Sequence, residues 1–448
     1  MGIFLHNYCT FKFLCFYVLP IIAVFSGIFS CSHADSQNIQ TSSLIFSLIL
    51  ILIIVTFKLI NSLQREKFRR SHRSKNNHET KIAIVGGGVA GLFTAYLLAR
   101  RYFSVTVFER SILPQDKACG EGLTKQGASI LKYFEIVSSQ DLADAKQISG
   151  MTFNRKNASV TALYPIDETG ITMRRTLLSR KLLQQLSILP NVNVLDKTPF
   201  IFTKNVNFDF IIGADGIRSM TAKYGGFRCV SRFGFSRSGF RQHFYAPRQE
   251  KKLKIFFTDF GDLYVTPISD RVSQLTLLTD TNSAPFQNWN LFADEIPEIL
   301  ELIDLTRPMS KLRAHGPLSW LALNPVKSNY ALIGDANCSF DACTGVGVTK
   351  AFKQSLLFSC HFPWLQHSKI GRLSYTLKVY HSVMFYLLPT YLLLFLSQSK
   401  AMQSFVIKLD RHMPKIVQIG AIWMLRLIDL PSAKHNLKLH GEIFKILD

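Results

Sequence analysis

The sequence lacks closely spaced cysteine pairs and has few acidic residues. Its eight cysteines include no CxxC pair, so neither a zinc or other metal site nor a disulfide framework is predicted, and reduced thiols in a cytosolic compartment fit best. Zinc-finger spacing, RNP-like aromatic motifs and base-reading basic helices are also missing, which excludes nucleic acid as an expected partner. Because 52 basic residues face 30 acidic ones, for a net charge of +22, an anionic membrane surface is the expected acidic partner.

The N-terminal part of the chain contains two long apolar runs. Residues 13–30 are almost wholly apolar, and residues 44–57 form a second run; both are near the lower limit for spanning a bilayer. The first run is either a membrane helix or a signal peptide, because residues 32–34 resemble a small-x-small cleavage site. Six Lys and Arg residues follow the second run between positions 65 and 75. By the positive-inside rule, the chain after residue 60 is expected on the cytoplasmic side of a membrane.

The sequence after these runs is typical of a strand, a tight turn and a helix. The β-rich residues 81–85 (KIAIV) lead into a glycine turn at 86–91 (GGGVAG), and a helix-forming stretch follows at 92–101. A second apolar run at 104–108 completes the pattern. This order predicts the βαβ unit of a dinucleotide-binding domain.

The glycine turn and the acid that follows the second strand predict specific contacts. Gly86 allows the tight turn, Gly88 lets the backbone approach a pyrophosphate, and Gly91 lets the helix pack closely on the strand. Glu109 lies eighteen residues after Gly91, which is the spacing of an acid that accepts hydrogen bonds from ribose hydroxyls. Arg110, next to it, is also an expected cofactor-binding residue.

Two later motifs separate FAD from other dinucleotides. Apolar residues 208–212 precede GADGIRS at 213–219, and apolar residues 329–333 precede GDAN and then DACTGVG at 341–347. Together and in this order, these motifs resemble those of the family that contains para-hydroxybenzoate hydroxylase-like flavin monooxygenases and geranylgeranyl reductases. The resemblance covers residues 80–360. It implies FAD as cofactor, NAD(P)H as the expected co-substrate and a flavin-borne reaction.

The resemblance carries over to individual residues of the later motifs. Gly334 and Asp335 would bind the ribityl chain or the pyrophosphate side of FAD. Gly345 and Gly347 would bring backbone N–H groups near the isoalloxazine, where negative charge on the reduced flavin needs stabilising.

Three further cofactor-binding residues follow from the same resemblance. Asp215 and Gly216 match the DG motif that supports the cofactor. Arg175 matches an arginine that opens a helix and contacts FAD.

The segment KACGEGL at residues 117–123 resembles the loop of geranylgeranyl reductase-like proteins that passes close to the flavin and the substrate. Cys119 and Gly120 are therefore expected in cofactor contact, with Cys119 a candidate for lining the site. Tyr264 is a second such candidate, because residues 253–267 and 272–278 predict a β-rich insert of the kind that covers the flavin in this family. No serine–histidine–aspartate set or carboxylate pair near the motifs indicates a separate catalytic acid or base, and catalytic residues are otherwise unassigned.

The expected fold class is α/β with α+β inserts. It comprises a Rossmann-like FAD-binding domain, a β-sheet substrate domain and C-terminal helices, preceded by N-terminal membrane helices. The expected segments are a membrane anchor and basic linker at 1–75, the FAD-binding domain at 76–225 and 321–360, the substrate domain at 226–320 and a helical region at 361–448.

Three functions agree with the sequence. The first is a flavin monooxygenase that hydroxylates or epoxidises its substrate, and the second is a geranylgeranyl reductase-like enzyme that reduces a double bond. The third is a membrane-attached flavin-binding sensor or structural protein without turnover. The apolar residues 384–396 and 416–430 favour a helical cap or a surface helix over another membrane span. They indicate a small lipophilic substrate and contact with membrane lipid, and the sequence does not specify the oligomeric state.

Overall fold

The computed structural model describes the chain from Glu79 to Gln398 with short gaps. The gaps are residues 156–157, 165–169, 203–206, 232–236, 249, 281–285 and 287. The apolar runs at 13–30, 44–57 and 416–430 and the basic cluster at 65–75 lie outside the described residues.

The strands, in chain order, are β1 Lys81–Val85, β2 Ser104–Phe108, β3 Gly122–Leu123, β4 Lys146–Ile148, β5 Gly150–Arg155, β6 Ala158–Leu163, β7 Gly170–Thr172, β8 Val192–Leu195, β9 Phe210–Gly213, β10 Cys229–Ser231, β11 Arg237–Tyr245, β12 Lys252–Thr258, β13 Gly261–Ser269, β14 Val272–Asp280, β15 Asp304–Pro308, β16 Arg313–His315, β17 Trp320–Ala322, β18 Val326–Lys327, β19 Tyr330–Leu332 and β20 Cys338–Ser339. The α-helices are α1 Val89–Ala99, α2 Lys125–Tyr133, α3 Ser139–Asp144, α4 Arg175–Ser187, α5 Met220–Tyr224, α6 Leu291–Glu295, α7 Glu298–Leu302, α8 Gly347–His367 and α9 Lys369–Gln398. Short 3₁₀ turns occur at Gly334–Ala336 and Ala342–Thr344.

The predicted βαβ unit is confirmed and belongs to a six-stranded sheet in the order β18-β19-β9-β1-β2-β8. β1 pairs in parallel with β2 and β9, and β19 pairs in parallel with β9. The carboxyl ends of β1, β9 and β19 therefore lie side by side. The three glycine motifs of the sequence, which follow these strands, meet at this edge, where open α/β sheets bind ligands.

Both faces of this sheet are buried, in agreement with its apolar strands. Alternate residues of β1 point to opposite faces, so Ile82 and Ile84 belong to the large core that includes α1, α4 and α8. Ala83 and Val85 belong to a second core against Phe200 and neighbouring aromatic rings.

The β-rich insert forms most of an eight-stranded sheet, and the predicted strands at 253–267 and 272–278 are confirmed as β12, β13 and β14. The sheet order is β15-β11-β14-β13-β12-β5-β6, with β16 also paired to β11. β5 and β6 come from the range 76–225 that the sequence assigns to the FAD-binding domain. β5 joins the sheet by parallel pairing with β12 about a hundred residues later, which local sequence patterns do not reveal.

Helices α8 and α9 end the described part of the chain. α9 has 30 residues and includes the apolar stretch that begins at Met384. Among residues 79–398, excluding the gaps, the structure contains no helix whose length and apolarity would allow it to cross a membrane.

Candidate functional site

The turn between β1 and α1 contains glycines of two kinds. A Cβ on Gly86, which has a φ of +113°, would lie 2.4 Å from the carbonyl oxygen of Ala214. A Cβ on Gly91 would lie 2.0 Å from the carbonyl oxygen of Gly86, so both positions require glycine for backbone packing. A Cβ on Gly88, the N-cap of α1, would instead meet no atom within 4 Å. This open space at a helix N-terminus suits a pyrophosphate.

Glu109 lies at the end of β2, beside the glycine turn. Its Oε2 accepts a hydrogen bond from the backbone N–H of Gly87 at 2.7 Å, and its Oε1 accepts one from Ser111 at 2.8 Å. These bonds fix the carboxylate, which retains further lone pairs for ribose hydroxyls. Arg110 is exposed at the next position.

A cavity of about 350 Å³ extends from the glycine turn and is lined by loops of the FAD-binding region. Gly88, Gly120, Gly216, Gly345 and Gly347 all line it, and a Cβ on any of these five glycines would meet no atom within 4 Å. They form what we call the glycine cradle. The cradle fits FAD, because its bare backbone leaves room for a long cofactor and offers N–H groups to its phosphate and flavin oxygens.

Asp335 lies in the 3₁₀ turn after β19 and lines the cavity together with Gly334. Its Oδ2 is 3.2 Å from the Nζ of Lys117, and its Oδ1 is 3.6 Å from the Nζ of Lys350. Burial raises the pKa of Asp335, but the two lysines lower it by more, so the pKa lies well below its usual range. Asp335 is therefore an ionised acceptor facing the cofactor site.

Asp335→Asn is expected to weaken FAD binding by about tenfold to a hundredfold, because it replaces a charge-assisted hydrogen bond with a neutral one. Quenching of flavin fluorescence on titration would measure the dissociation constant. Asp209→Asn is the matched control, because Asp209 is exposed and its carboxylate accepts a hydrogen bond from the backbone N–H of Lys81 at the other end of β1. Unchanged or tighter binding in Asp335→Asn would mean that Asp335 serves only to neutralise the lysines.

Asp215 and Gly216 are neighbours but have different surroundings. Both carboxylate oxygens of Asp215 are engaged at the start of α5: Oδ1 accepts a bond from Ser219 at 2.6 Å, and Oδ2 accepts bonds from Thr221. Gly216, at a φ of +80°, lines the cavity instead. Asp215 thus shapes the loop that presents Gly216, and its direct contact with FAD stays a prediction.

Arg175, the first residue of α4, is 6% exposed and braces the loop around Cys119. Its Nε donates to Cys119 Sγ at 3.2 Å, and its guanidinium also donates to the carbonyls of Gly122 and Met173. Arg175 and Cys119 both line the cavity. The structure thus brings them together, while their contact with FAD stays a prediction.

One side of the cavity is formed by the eight-stranded sheet and has no formal charge at neutral pH. This uncharged wall consists of Met151, Leu253, Tyr264, Thr266, Thr276, Leu278 and His315. Burial, and then the positive charge of Lys117, lowers the pKa of His315 to about 4, so its imidazole is neutral. Burial, and then the negative charge of Asp262, raises the pKa of Tyr264 well above its usual value. Tyr264 is therefore a neutral phenol that can donate a hydrogen bond into the cavity.

Two lining residues were missed by sequence reasoning. Lys350, in the first turn of α8, is 3% exposed and donates to the carbonyl oxygen of Cys338. A lysine in the first helical turn after the TGxG motif was an available signal for it. His315, whose buried Nε2 has no hydrogen-bond partner among the described residues, lies on a three-residue strand that has no distinctive pattern.

Comparison with known proteins agrees with this geometry. Residues 81–133 match the family model described as FAD dependent oxidoreductase. Squalene epoxidase 5 of Arabidopsis thaliana is 29% identical over 126 residues, which cover 27% of this chain and 24% of the relative. The chloroplastic zeaxanthin epoxidase of Solanum lycopersicum is 26% identical over 191 residues, covering 34% of this chain and 28% of the relative. The matches therefore span only about a quarter of these curated relatives.

Solved structures show the same fold. A flavoprotein/dehydrogenase from Cytophaga hutchinsonii aligns with a TM-score of 0.63 at 15% identity, covering 82% of this chain and 99% of the other. The fold, the glycine cradle and the family match identify the chain as an FAD-dependent oxidoreductase. Its cofactor is FAD.

Proposed function

We propose that the chain is a membrane-attached FAD-dependent monooxygenase that acts on a lipophilic substrate. It transfers one oxygen atom of O₂ to a double bond, and the other atom leaves as water with the electrons of NAD(P)H. The observation that carries this proposal is the uncharged wall, which lines the same cavity as the glycine cradle. A cavity that is polar at its cofactor end and uncharged at the other would accept an apolar substrate without leaving a buried charge unpaired.

Reduced FAD supplies the electrons and the oxygen activation, and the chain supplies binding, orientation and the exclusion of water. The cradle would hold the cofactor along the edge of the six-stranded sheet. Gly345 and Gly347, before and at the start of α8, would direct backbone N–H groups toward developing negative charge. Met151, Leu253 and Leu278 would pack against the substrate and keep water out.

Sequence similarity favours oxygen transfer over other flavin reactions. Both curated relatives described above are epoxidases by name, and an alkene of low polarity suits the uncharged wall. The substrate class we propose is therefore an unsaturated lipid of the isoprenoid kind.

A geranylgeranyl reductase-like reaction is the second candidate, because Cys119 and Gly120 line the cavity within the segment that resembles those reductases. In that case hydride would pass from reduced FAD to the double bond, and a proton would come from the site or from solvent. No oxygen would be consumed.

Turnover with and without O₂ would separate these functions. The purified FAD-loaded protein would be incubated with NADPH or NADH and with squalene or zeaxanthin as probes. A product heavier by one oxygen atom, labelled when heavy-isotope O₂ is supplied, supports the monooxygenase. A product with two added hydrogens under anaerobic conditions supports the reductase, and a bound flavin that NAD(P)H cannot reduce supports a protein without turnover.

Tyr264→Phe is expected to lower the rate of product formation about tenfold while leaving FAD affinity unchanged, because it removes one hydrogen-bond donor and no ring packing. Single-turnover kinetics and an FAD titration on the same preparation would measure both effects. A rate equal to that of the wild type would show that the phenol does not act on the substrate.

Membrane attachment is proposed from the apolar runs at 13–30 and 44–57 and from the basic cluster that follows them. The positive-inside rule would place the FAD site on the cytoplasmic side. A variant lacking residues 1–75 tests whether the remaining chain also contacts lipid. If that variant is fully soluble without detergent and does not sediment with anionic vesicles, the attachment depends on residues 1–75 alone.

A further inference from the structure

Strand β11 has one apolar face and one basic face. Because strand side chains alternate, Phe240 and Phe244 point into the hydrophobic core beside the eight-stranded sheet. Arg237, Arg241 and His243 share the other face and are 4%, 0% and 1% exposed. Three basic side chains buried on one strand are unusual, since such groups are costly to bury unless they are paired.

The basic face is paired with two loops of the FAD-binding region. Arg241 donates to the carboxylate of Asp116 at 2.5 Å and to the carbonyl oxygen of Lys117 at 2.6 Å. Arg237 makes a two-pronged ion pair with Asp341, with both distances 2.7 Å. One loop leads to Cys119 and Gly120, and the other leads to Gly345.

His243 binds Glu121, which also lines the cavity. Its Nδ1 is 3.2 Å from the guanidinium of Arg241, which can only donate, so Nδ1 is the acceptor and Nε2 carries the proton. Nε2 donates to Glu121 Oε2 at 2.9 Å. Ser310 Oγ also lies 2.9 Å from Nδ1.

Glu121 connects His243 to the loop that carries Cys119 and Gly120. It is 1% exposed and has a φ of +55°, a conformation that non-glycine residues adopt at a cost. The Oε1 of Glu121 accepts a hydrogen bond from the backbone N–H of Arg175. The Arg175 side chain in turn donates to Cys119 Sγ and to the carbonyl oxygen of Gly122. The carbonyl of Cys119 is also held, by Gln274 at 3.0 Å. The conformation of the loop at residues 119–122 thus depends on the Glu121 carboxylate, and His243 holds that carboxylate in place.

We infer that the basic face of β11 is a positioning element for the FAD cavity and that His243 is its key positioning residue, acting through Glu121 on Cys119 and Gly120. The inference goes beyond the proposed reaction, because it concerns the shape of the cofactor site and applies to oxygen transfer and hydride transfer alike. Buried ion pairs such as those of Arg237 and Arg241 add little stability over apolar side chains of the same size, so the contribution that we infer for the basic face is to the geometry of the loops.

The test compares substitutions on the two faces of β11 in the full-length FAD-loaded protein. His243→Leu removes both ring nitrogens, and His243→Gln keeps a donor toward Glu121. Gln242→Leu, on the opposite face, is a stringent matched control: it breaks the bond from the Trp289 indole at 2.8 Å and the bond to the carbonyl oxygen of Ser310 at 2.9 Å, but it leaves both ring nitrogens of His243 in place. The first readout is the rate of Cys119 alkylation by iodoacetamide, resolved by peptide mass spectrometry. The others are the fine structure of the bound flavin absorption band and the FAD dissociation constant.

We expect His243→Leu to raise the alkylation rate of Cys119 about tenfold or more, because a released loop opens more often, and to blur the flavin band and weaken FAD binding. His243→Gln should restore most of each property, and Gln242→Leu should leave all three at wild-type values. The inference is overturned if His243→Leu leaves all three properties unchanged, or if Gln242→Leu changes them equally. If His243→Leu does not fold, Glu121→Gln replaces it, with the same expected changes and the same overturning results.

Discussion

Gly88→Val is expected to give a folded protein that binds no FAD. A Cβ at this position would meet no atom within 4 Å, so the β1–α1 turn can form as before. The branched side chain would, however, fill the space in front of the α1 N–H groups that a pyrophosphate needs. The expected loss of FAD affinity is at least about a hundredfold. It would appear as a purified protein with wild-type circular dichroism and no flavin absorption bands.

Gly91→Ala is expected to have a different effect, because there is no space for a side chain at this position of the turn. A single methyl group would lie 2.0 Å from the carbonyl oxygen of Gly86, and backbone cannot give way as a flexible side chain does. This variant is expected to fail to fold rather than to fold without cofactor. If Gly88→Val retained a full complement of FAD, the assignment of the turn to the pyrophosphate would be wrong.

Arg237→Met is expected to lower the free energy of unfolding by about 3–5 kcal/mol, because it breaks a buried ion pair from one side. Arg237 binds Asp341 through two bonds and Asp262 through a third at 2.5 Å, and all three residues are buried. Without the guanidinium, two carboxylates would remain buried with no positive partner. Chemical denaturation of the FAD-free protein at neutral pH would measure the loss.

The pH dependence of that variant gives a second, independent readout. Burial already raises the pKa of Asp262 in the wild type, despite the opposing effect of Arg237. A carboxyl group whose pKa is higher in the folded state binds its proton more tightly there, so lower pH favours folding. Arg237→Met should therefore recover part of its stability as the pH falls from neutrality.

Arg313→Met is the control for both measurements. Arg313 forms a single 3.3 Å contact with Asp116, and its side chain is 45% exposed, so its loss should cost less than about 1 kcal/mol. Equal losses in the two variants would show that burial of the Arg237 cluster has no special effect.

The sequence predicted the cofactor half of the molecule well because its determinants are local. A strand, a glycine turn and a second strand occupy fewer than thirty consecutive residues, and β1 and β2 have the predicted limits. The FAD-dependent oxidoreductase class is confirmed on this basis. The bonds that the Asp215 carboxylate accepts from Ser219 and Thr221 could not be predicted from its motif, because motif position does not reveal which neighbours a side chain binds, and its contact with FAD stays a prediction.

The insert at 226–320 was predicted as β-rich, but the strands and loops that pair with it were not predicted. β5 pairs with β12, which lies about a hundred residues later in the chain, and the hydrophobic periodicity of a segment does not indicate such a distant partner. The basic face of β11 had a signal, since Arg237, Arg241 and His243 stand at odd-numbered positions with Phe240 and Phe244 at even ones. Alternation of this kind predicts two buried faces, but the loops that supply Asp116, Glu121 and Asp341 are distant in sequence.

The glycine cradle and the uncharged wall come from different elements of the fold, which has a consequence for how such a protein diversifies. The glycines of the cradle lie in loops or at a helix start, whereas Met151, Leu253 and Leu278 lie on strands of the eight-stranded sheet. We expect exchanges at these three positions to change the size and shape of the accepted molecule while leaving FAD bound. A library of variants at these positions, screened for retained flavin, would separate inheritance of the cofactor from selection of the substrate within one chain.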